Sequence, residues 1–295
     1  MDFALAPASQ ACYRRGWNLY VQFAQKYSIS DQFPVRVSNL ALFIAYLVNQ
    51  SYKPSTISFY VSAIGYVHKL KAIPDPTSSF LILKLLRACH KQQKIFDSRM
   101  PIVKPVLERL MLTLVHTGTD HYHQHLFQTM FALAFYAFLR IGEITIRGKD
   151  RHDAHLIQKN QIRMQTKHFE LKFISYKHSQ GQPFSLSVME AQGQGPCPVR
   201  AMQAYLQVRG DRPGPLFQYA TGHAVLRNDF NKELRRALLF CDLDPTTFKG
   251  HSFRIGAATT VAQLGMSDSQ IRTLGRWKSD AFKQYICCAA LTSTL

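Results

Sequence analysis

The chain has 295 residues, enough for two domains of ordinary size. It carries 36 Lys and Arg residues against 18 Asp and Glu residues, so its net charge is +18. Such a charge favours an anionic partner, either nucleic acid or an anionic membrane surface. The longest nearly apolar run, 126–139, contains Gln128 and Thr129 and is too short to cross a bilayer. A membrane protein is therefore not expected, and nucleic acid is the favoured partner.

Four helices are predicted in the N-terminal third of the chain. Apolar residues between 10 and 27 recur at helical spacing, and similar patterns continue towards residue 94. The predicted helices cover 10–27, 39–50, 54–71 and 79–94. No strand-like alternation occurs before residue 100, so residues 1–94 are expected to form a small all-helical domain.

The fourth predicted helix carries a row of cations at steps of three and four residues, which places them on one stripe. These are Lys84, Arg87, Lys91 and Lys94. One interpretation is a solvated helix face. The other is contact with DNA phosphates, because the stripe has no acidic neighbours to form ion pairs and like charges on a helix repel each other. Both remain open, and the charge of the whole chain supports the second.

Residues 95–104 mix Ser, Pro and charged residues and are predicted to link this domain to a second one, 105–295. In the second domain a helix is predicted from Pro105 to about 115. An apolar helix follows and is expected to end at Arg140, with Glu143 three residues later. Arg140 either stabilises a helix C-terminus or projects into a cleft, where the carboxylate of Glu143 holds it.

Between residues 161 and 188 the apolar pattern changes to a period of two, with the turn sequence SQGQ before the last strand. This pattern predicts a small antiparallel sheet, so the expected fold class is mixed α+β and mainly α. Lys177 lies at the turn side of the second strand, and Lys167 and Lys172 are the alternatives for a functional lysine. A solvated hairpin lysine is the plainer interpretation of all three.

Neither the cysteines nor the histidines predict a metal site or a disulfide framework. The six cysteines form no C-x-x-C pair, which fits free thiols in a reducing compartment. His121, His123 and His125 alternate in a polar segment, 116–125, that is predicted to be a surface loop near phosphates. Alternation in a loop gives no fixed tetrahedral geometry, so no metal or other cofactor is expected.

The stretch 250–286 is predicted to form short helices with sharp turns. Gly265 is expected to close the first helix, and Gly275 the second. Ser267 and Gln270 have the spacing of a capping box, and Ser279 can cap a last helix. Such turns can bring distant polar side chains of this stretch together.

Those polar side chains are His251 and Arg254, which share a helix face at i,i+3, and then Trp277 and Tyr285. Together with the string LRIGEI around Arg140, the string HSFRIGAA…GRWKSDAFKQYI resembles the active site of the tyrosine recombinase (phage integrase) family. It is most similar to the recombinases of DIRS-type and related eukaryotic mobile elements. The resemblance implies a core-binding domain over 1–94 and a catalytic domain of the DNA breaking-rejoining fold over 105–295, which together clamp duplex DNA.

The chemistry implied by the resemblance is transfer of a DNA phosphoryl group without a metal. Arg140 and Arg254 would clamp the nonbridging oxygens of the phosphate, as guanidinium groups can do bidentately. Tyr285 would attack the phosphorus and form a covalent 3′-phosphotyrosyl bond. Because free tyrosine has a pKa near 10, nearby cations are needed to favour the phenolate.

The remaining site residues are assigned supporting roles. The resemblance implies Lys177 as the general acid for the leaving 5′ oxygen, with His251 assisting proton transfer. Trp277 stands where many members of the family have His; its indole N–H can only donate, which fits positioning and packing. Glu143 would orient the groups that contact the phosphate.

One spacing departs from that of many members of the family. Trp277 and Tyr285 are eight residues apart rather than nine, and one residue rotates a helical side chain by about 100°. Either the preceding turn compensates, or Tyr285 is instead a core aromatic residue. No other tyrosine follows Trp277, which supports Tyr285 as the nucleophile.

The resemblance therefore implies site-specific recombination of double-stranded DNA in the integration of a mobile element. A homotetramer would act on two DNA sites with a dimer on each, in the nucleus for a eukaryotic element and otherwise in the cytoplasm. Two alternatives are a type IB topoisomerase-like relaxase and a domesticated, non-catalytic DNA-binding protein. The presence of every residue of the catalytic set argues against the last.

Overall fold

The computed structural model describes residues 7–29, 33–92, 99–148, 155–176, 181–193 and 195–286. The chain divides into two compact units, 1–97 and 98–295. Each has its own hydrophobic core. The architecture is mainly helical with one small antiparallel sheet, which confirms the fold class expected from the sequence.

The first unit is a bundle of four helices around an aromatic core. Its helices are α1 (Pro7–Lys26), α2 (Val37–Asn49), α3 (Pro54–Leu70) and α4 (Phe80–Gln92). Tyr20, Phe23 and Phe43 lie at its centre with ring centroids 5.3–6.2 Å apart. The bounds agree with the predicted helices to within a few residues because the apolar faces repeat every three or four positions.

The second unit is built around the helix α6, which is buried on nearly all sides from Leu126 to Phe135. Its helices before the sheet are α5 (Lys104–Thr117), α6 (His121–Tyr136) and the short α7 (Ile141–Ile144). Those after the sheet are α8 (Pro198–Arg209), α9 (Arg227–Phe240), α10 (Ser252–Gln263), α11 (Asp268–Gly275) and α12 (Lys283–Ile286). Helices α5, α8 and α10 pack against α6.

The predicted sheet forms with three antiparallel strands in the order β1-β2-β3. The strands are β1 (Ile162–Met164), β2 (His168–Phe173) and β3 (Phe184–Met189). Phe169, Leu171 and Phe173 alternate onto the core face of β2. The two-residue period in the sequence is thus the alternation of buried and exposed side chains.

Two predictions about α6 are wrong. The segment 116–125 is not a loop throughout, because Asp120 caps α6 by accepting from the His123 backbone N–H at 2.7 Å. His121, His123 and His125 therefore lie in the first turns of the helix. At its other end α6 stops at Tyr136, four residues before Arg140. Phe138 then takes a left-handed backbone (φ 50°), which turns the chain into α7.

The turns between α10 and α12 follow the sequence signals in part. Gly265 has φ 82° and donates to the Ala262 carbonyl, closing α10 as predicted. Ser267 and Gln270 form the expected capping box at the start of α11. The left-handed residue after α11 is Arg276 (φ 53°, ψ 44°), not the glycine before it. Ser279 precedes a 3-10 turn at Asp280–Phe282 and makes no side-chain cap there.

Candidate functional site

Arg140 is the N-cap residue of α7, and Glu143, three residues later, holds its side chain. The Arg140 Nη1 donates to Glu143 Oε1 at 3.2 Å, and the Arg140 backbone N–H donates to Oε2 at 2.8 Å. The Glu143 side chain is 3% exposed and that of Arg140 is 23% exposed. A buried carboxylate thus fixes a cation that still reaches solvent.

Arg276 is a second cation on the same carboxylate. Its Nη2 donates to Glu143 Oε2 at 2.8 Å, and its side chain is 2% exposed. Its carbonyl oxygen lies 3.4 Å from Arg140 Nη2, which donates to it. Burial lowers the pKa of Arg276, although the charge of Glu143 opposes that shift. Glu143 therefore joins one partly exposed and one buried guanidinium group.

Arg254 lies deeper, on the first turn of α10. Its Nη1 donates to the Phe138 carbonyl at 2.8 Å, and its Nη2 donates to the Gly275 carbonyl. The indole of Trp277 stacks on the guanidinium, with 4.2 Å between Cζ and the ring centroid. Gly275 makes this possible because a Cβ there would lie 1.6 Å from a Trp277 ring carbon. The contact between Arg254 and Trp277 therefore requires glycine at position 275.

His251 occupies the N-cap position of α10 and borders a cleft that Arg140 also lines. The cleft has a volume of about 600 Å³. The residues before His251 approach α7 closely, because a Cβ on Gly250 would lie 2.5 Å from the Ile141 side chain. This contact brings together Arg140 and His251, which are 111 residues apart (251 − 140).

Three further basic side chains line the same cleft. They are Arg227, Arg235 and Lys249. Arg227 packs so near α7 that a Cβ on Gly142 would lie 2.7 Å from its Nη2. Among the described residues that line the cleft there is no carboxylate. The cleft therefore favours an anion with several charges over a neutral or cationic ligand.

The side chains of three predicted site residues are not described by the structure. Lys177 lies outside the described residues, as does Lys94 of the basic stripe. The two alternatives, Lys167 and Lys172, are exposed, the first in the turn before β2 and the second on it. The backbone of Tyr285 lies on α12, which packs against α10, whereas its side chain is outside the described part of the structure. The structure thus brings together Arg140, Glu143, His251, Arg254 and Trp277 from the predicted set.

The basic stripe of α4 belongs to the first unit. Lys84, Arg87 and Lys91 are all exposed, whereas Ile82 and Cys89 face the core. The Lys84 Nζ lies 5.1 Å from the centroid of the Phe80 ring, which is itself 75% exposed. The three described cations therefore share the solvent face of the helix, as their spacing predicts.

Sequence reasoning missed Arg276 entirely. Its only local signal was a charged residue between Gly275 and Trp277. Its partner Glu143 is 133 positions away, so no local spacing reveals the pair. Arg227 and Lys249 were missed for the same reason, since only the folded chain places them around one cleft.

Within the described ranges, no group of three or more His, Cys, Asp or Glu residues is arranged to hold a metal ion. None of the helices in the part of the chain that the structure describes is long and apolar enough to cross a membrane.

Comparison with known proteins gives a clear result at the level of the fold. The Tn1549 transposon integrase, in complex with circular intermediate DNA, matches with a TM-score of 0.56 and 13% identity, over 95% of this chain and 99% of that one. The XerH site-specific recombinase, bound to a palindromic difH substrate, matches with a TM-score of 0.61 and 11% identity, over 93% and 76%. This chain has the tyrosine recombinase fold.

A lambda integrase dimer bound to a COC' core site is a third similar structure, with a TM-score of 0.59 and 12% identity, over 96% of this chain and 72% of that one. No family model and no curated protein sequence matches the chain. At such identities the likeness establishes the fold, and the activity has to be argued from the site.

Proposed function

We propose that this protein is a site-specific DNA recombinase that cleaves and rejoins DNA through a covalent tyrosyl intermediate. The observation that carries the proposal is the cluster around Glu143. A buried carboxylate there holds two guanidinium groups beside a basic cleft. Fixed cations of this kind stabilise the charge that develops on a phosphate in its transition state.

The proposed reaction needs no metal, because the cations of the chain take the place of Mg²⁺. The Tyr285 oxygen attacks the phosphorus, and the bond from phosphorus to the 5′ oxygen breaks. His251 accepts the tyrosine proton, and Lys177 donates a proton to the leaving 5′ oxygen. Rejoining is the same exchange in reverse, so bonds and protons balance without an energy source.

The side chains of the cluster and of the cleft each have a part in the proposed reaction. Arg140 would contact a nonbridging oxygen from the cleft, held in place by Glu143. Arg254 would add positive charge from its buried position, with the Trp277 ring stacked on its guanidinium group. The lining of the cleft by Arg227, Arg235 and Lys249 supports binding of the neighbouring phosphates of the same strand.

The biological setting is a further part of the proposal. The similarity to a transposon integrase supports integration or excision of a mobile element, with double-stranded DNA as the partner. A dimer on each of two DNA sites, forming a tetramer, would pair the strands for exchange. The first unit would bind DNA through α4, and a eukaryotic element would require action in the nucleus.

The experiment that tests the proposal is trapping of the covalent intermediate. A nicked DNA substrate loses a short 5′-hydroxyl fragment after cleavage, so the protein remains attached to the 3′ phosphate. We expect an adduct on a denaturing gel with the wild-type protein and none with Tyr285→Phe. Tyr27→Phe, which changes an exposed tyrosine directly after α1, is the matched control and should keep the adduct.

Three outcomes would contradict parts of the proposal. An adduct in Tyr285→Phe would show another nucleophile. The absence of any wild-type adduct on all DNA substrates, with DNA binding retained, would indicate a non-catalytic DNA-binding protein. An adduct accompanied by relaxation of supercoiled DNA by a monomer, without preference for a site, would indicate a type IB topoisomerase-like relaxase.

A further inference from the structure

Arg276 is placed in an unusual way for a buried cation. It adopts the left-handed backbone conformation directly after Gly275, the residue type that normally takes it. This conformation aims the side chain inward, where 2% of it is exposed. A non-glycine residue in this region is disfavoured, and here it carries a buried guanidinium group whose contacts define its role.

The contacts of Arg276 connect two parts of the site. Its Nη2 donates to Glu143 Oε2, and its carbonyl accepts from Arg140 Nη2. On the other side its guanidinium lies 4.0 Å from the Phe173 ring centroid and 6.0 Å from that of Tyr176, at the end of β2. Arg276 therefore holds the carboxylate of Glu143 and packs on the end of β2 that leads into the turn before β3.

The charges around Glu143 explain why a second arginine is needed. With one carboxylate and two guanidinium groups, the cluster carries a net charge of +1. Without Arg276, the charge of Arg140 would be neutralised by Glu143, and its guanidinium would be drawn towards the buried carboxylate. A phosphate in the cleft would then contact a neutral ion pair and would lose the attraction of a free positive charge.

We propose that Arg276 is a positioning residue that neutralises Glu143, so that Arg140 keeps its positive charge for the DNA phosphate. The inference rests on the proposed function. Arginine suits the role because its guanidinium remains charged when buried, whereas a buried lysine is more easily neutralised. Arg276 would thus act through Arg140 without touching DNA.

The test compares an ordinary scissile phosphate with a methylphosphonate, which lacks one nonbridging charge. Arg276→Met should slow adduct formation on the phosphate by about 100-fold, the size of effect seen when one fixed electrostatic donor is lost. On the methylphosphonate the loss relative to the wild-type protein should be less than about tenfold, because less charge develops there. Arg209→Met is the matched control, since Arg209 is also buried and donates to backbone carbonyls, whereas Arg276 donates to a carboxylate as well. It should slow both substrates equally.

Two further variants separate charge from folding. Glu143→Gln combined with Arg276→Met removes the buried carboxylate as well, and it should recover at least tenfold of the rate lost in Arg276→Met. Arg276→Lys should be active at low pH and lose activity as the pH rises, because desolvation favours the neutral amine. The wild-type protein should not share that loss.

The outcomes are distinguishable from failure of the proposed function. If the wild-type protein forms no adduct, the recombinase proposal itself fails. If it forms an adduct and Arg276→Met forms it at the same rate, only the role of Arg276 is overturned. Equal losses on both substrates, with no recovery in the double variant, would also overturn it and leave Arg276 a packing residue.

Discussion

Two sets of cations, one in each unit of this protein, are placed in opposite ways. In the second unit the side chains of Arg254 and Arg276 are almost fully buried and are bonded to carbonyls or a carboxylate. In the first unit Lys84, Arg87 and Lys91 are exposed on α4. A buried cation is screened little by salt and is held in one place, whereas an exposed one is screened and mobile.

This difference indicates whether each set of cations contributes to the reaction rate or to DNA affinity. Fixed charges lower the barrier of a reaction because they need no reorganisation. Exposed charges raise affinity by displacing counterions from DNA, and their effect falls with salt. The buried set should therefore affect the rate of cleavage and the exposed set the strength of binding.

Arg254→Lys should have the largest effect on the rate of cleavage. A lysine cannot donate to the Phe138 and Gly275 carbonyls with a planar fork, and it would leave Trp277 without its stacked guanidinium. We expect adduct formation to slow by about 100- to 1,000-fold. DNA affinity, measured by fluorescence anisotropy, should change by less than about threefold. Arg209→Lys, also in a buried site, should leave the cleavage rate near wild type.

Trp277→Ala should have the next largest effect, since it removes the ring from a desolvated cation. A cation–π contact of this kind contributes about 2 kcal/mol, so cleavage should slow by about 30-fold. Trp277→Phe should recover most of that rate. The matched control is Phe80→Ala, which removes an exposed ring 5.1 Å from Lys84. Equal effects of the two alanine variants on cleavage would contradict the distinction between buried and exposed pairs.

The triple variant Lys84→Ala, Arg87→Ala and Lys91→Ala should change binding and leave chemistry intact. If each cation neutralises one phosphate, the slope of log K against log salt should decrease in magnitude by about 2–3. The cleavage rate at saturating DNA should equal that of the wild-type protein. Removing three exposed cations of α1 (Arg14, Arg15 and Lys26) is the control for net charge alone. The same loss of slope in that control would show that α4 has no special place on DNA.

The smallest effect is expected at the histidine pair of α6. His121 Nε2 and His125 Nε2 lie 2.9 Å apart. Burial, and then the charge of His121, lowers the pKa of His125 below its usual 6.5. The unfolded chain therefore binds a proton more readily, so stability is complete above pH 6.5 and decreases as the pH falls below it.

His125→Gln should remove that part of the acid sensitivity. We expect the urea midpoint of the wild-type protein to decrease more between pH 7.5 and pH 5 than the urea midpoint of the variant does. A larger loss in the variant would contradict the sign of the shift.

Much of the fold could be predicted because its signals are local. Helical spacing and two-residue alternation gave the helices and the sheet, and Ser267 with Gln270 gave a capping box that is present. Arg140 and Glu143 are three residues apart, so their pairing was also within reach of the sequence. Each of these depends on neighbours along the chain, whose geometry the backbone period dictates.

The end of α6 could not be predicted in the same way. Its apolar pattern continues to Leu139, yet the helix stops at Tyr136 and Phe138 turns left-handed. The carbonyl of Phe138 is then free of the helical ladder and accepts from Arg254. The end of this helix is thus in contact with a segment more than a hundred residues away.

The sequence by itself determined the element types, the order of the candidate residues and the excess of positive charge. Only the tertiary structure decided that Arg276 lies against Glu143 and that Arg227 and Lys249 surround one cleft. The physical reason is burial. A charge removed from water must find a partner wherever the fold supplies one, and that partner is set by packing in three dimensions.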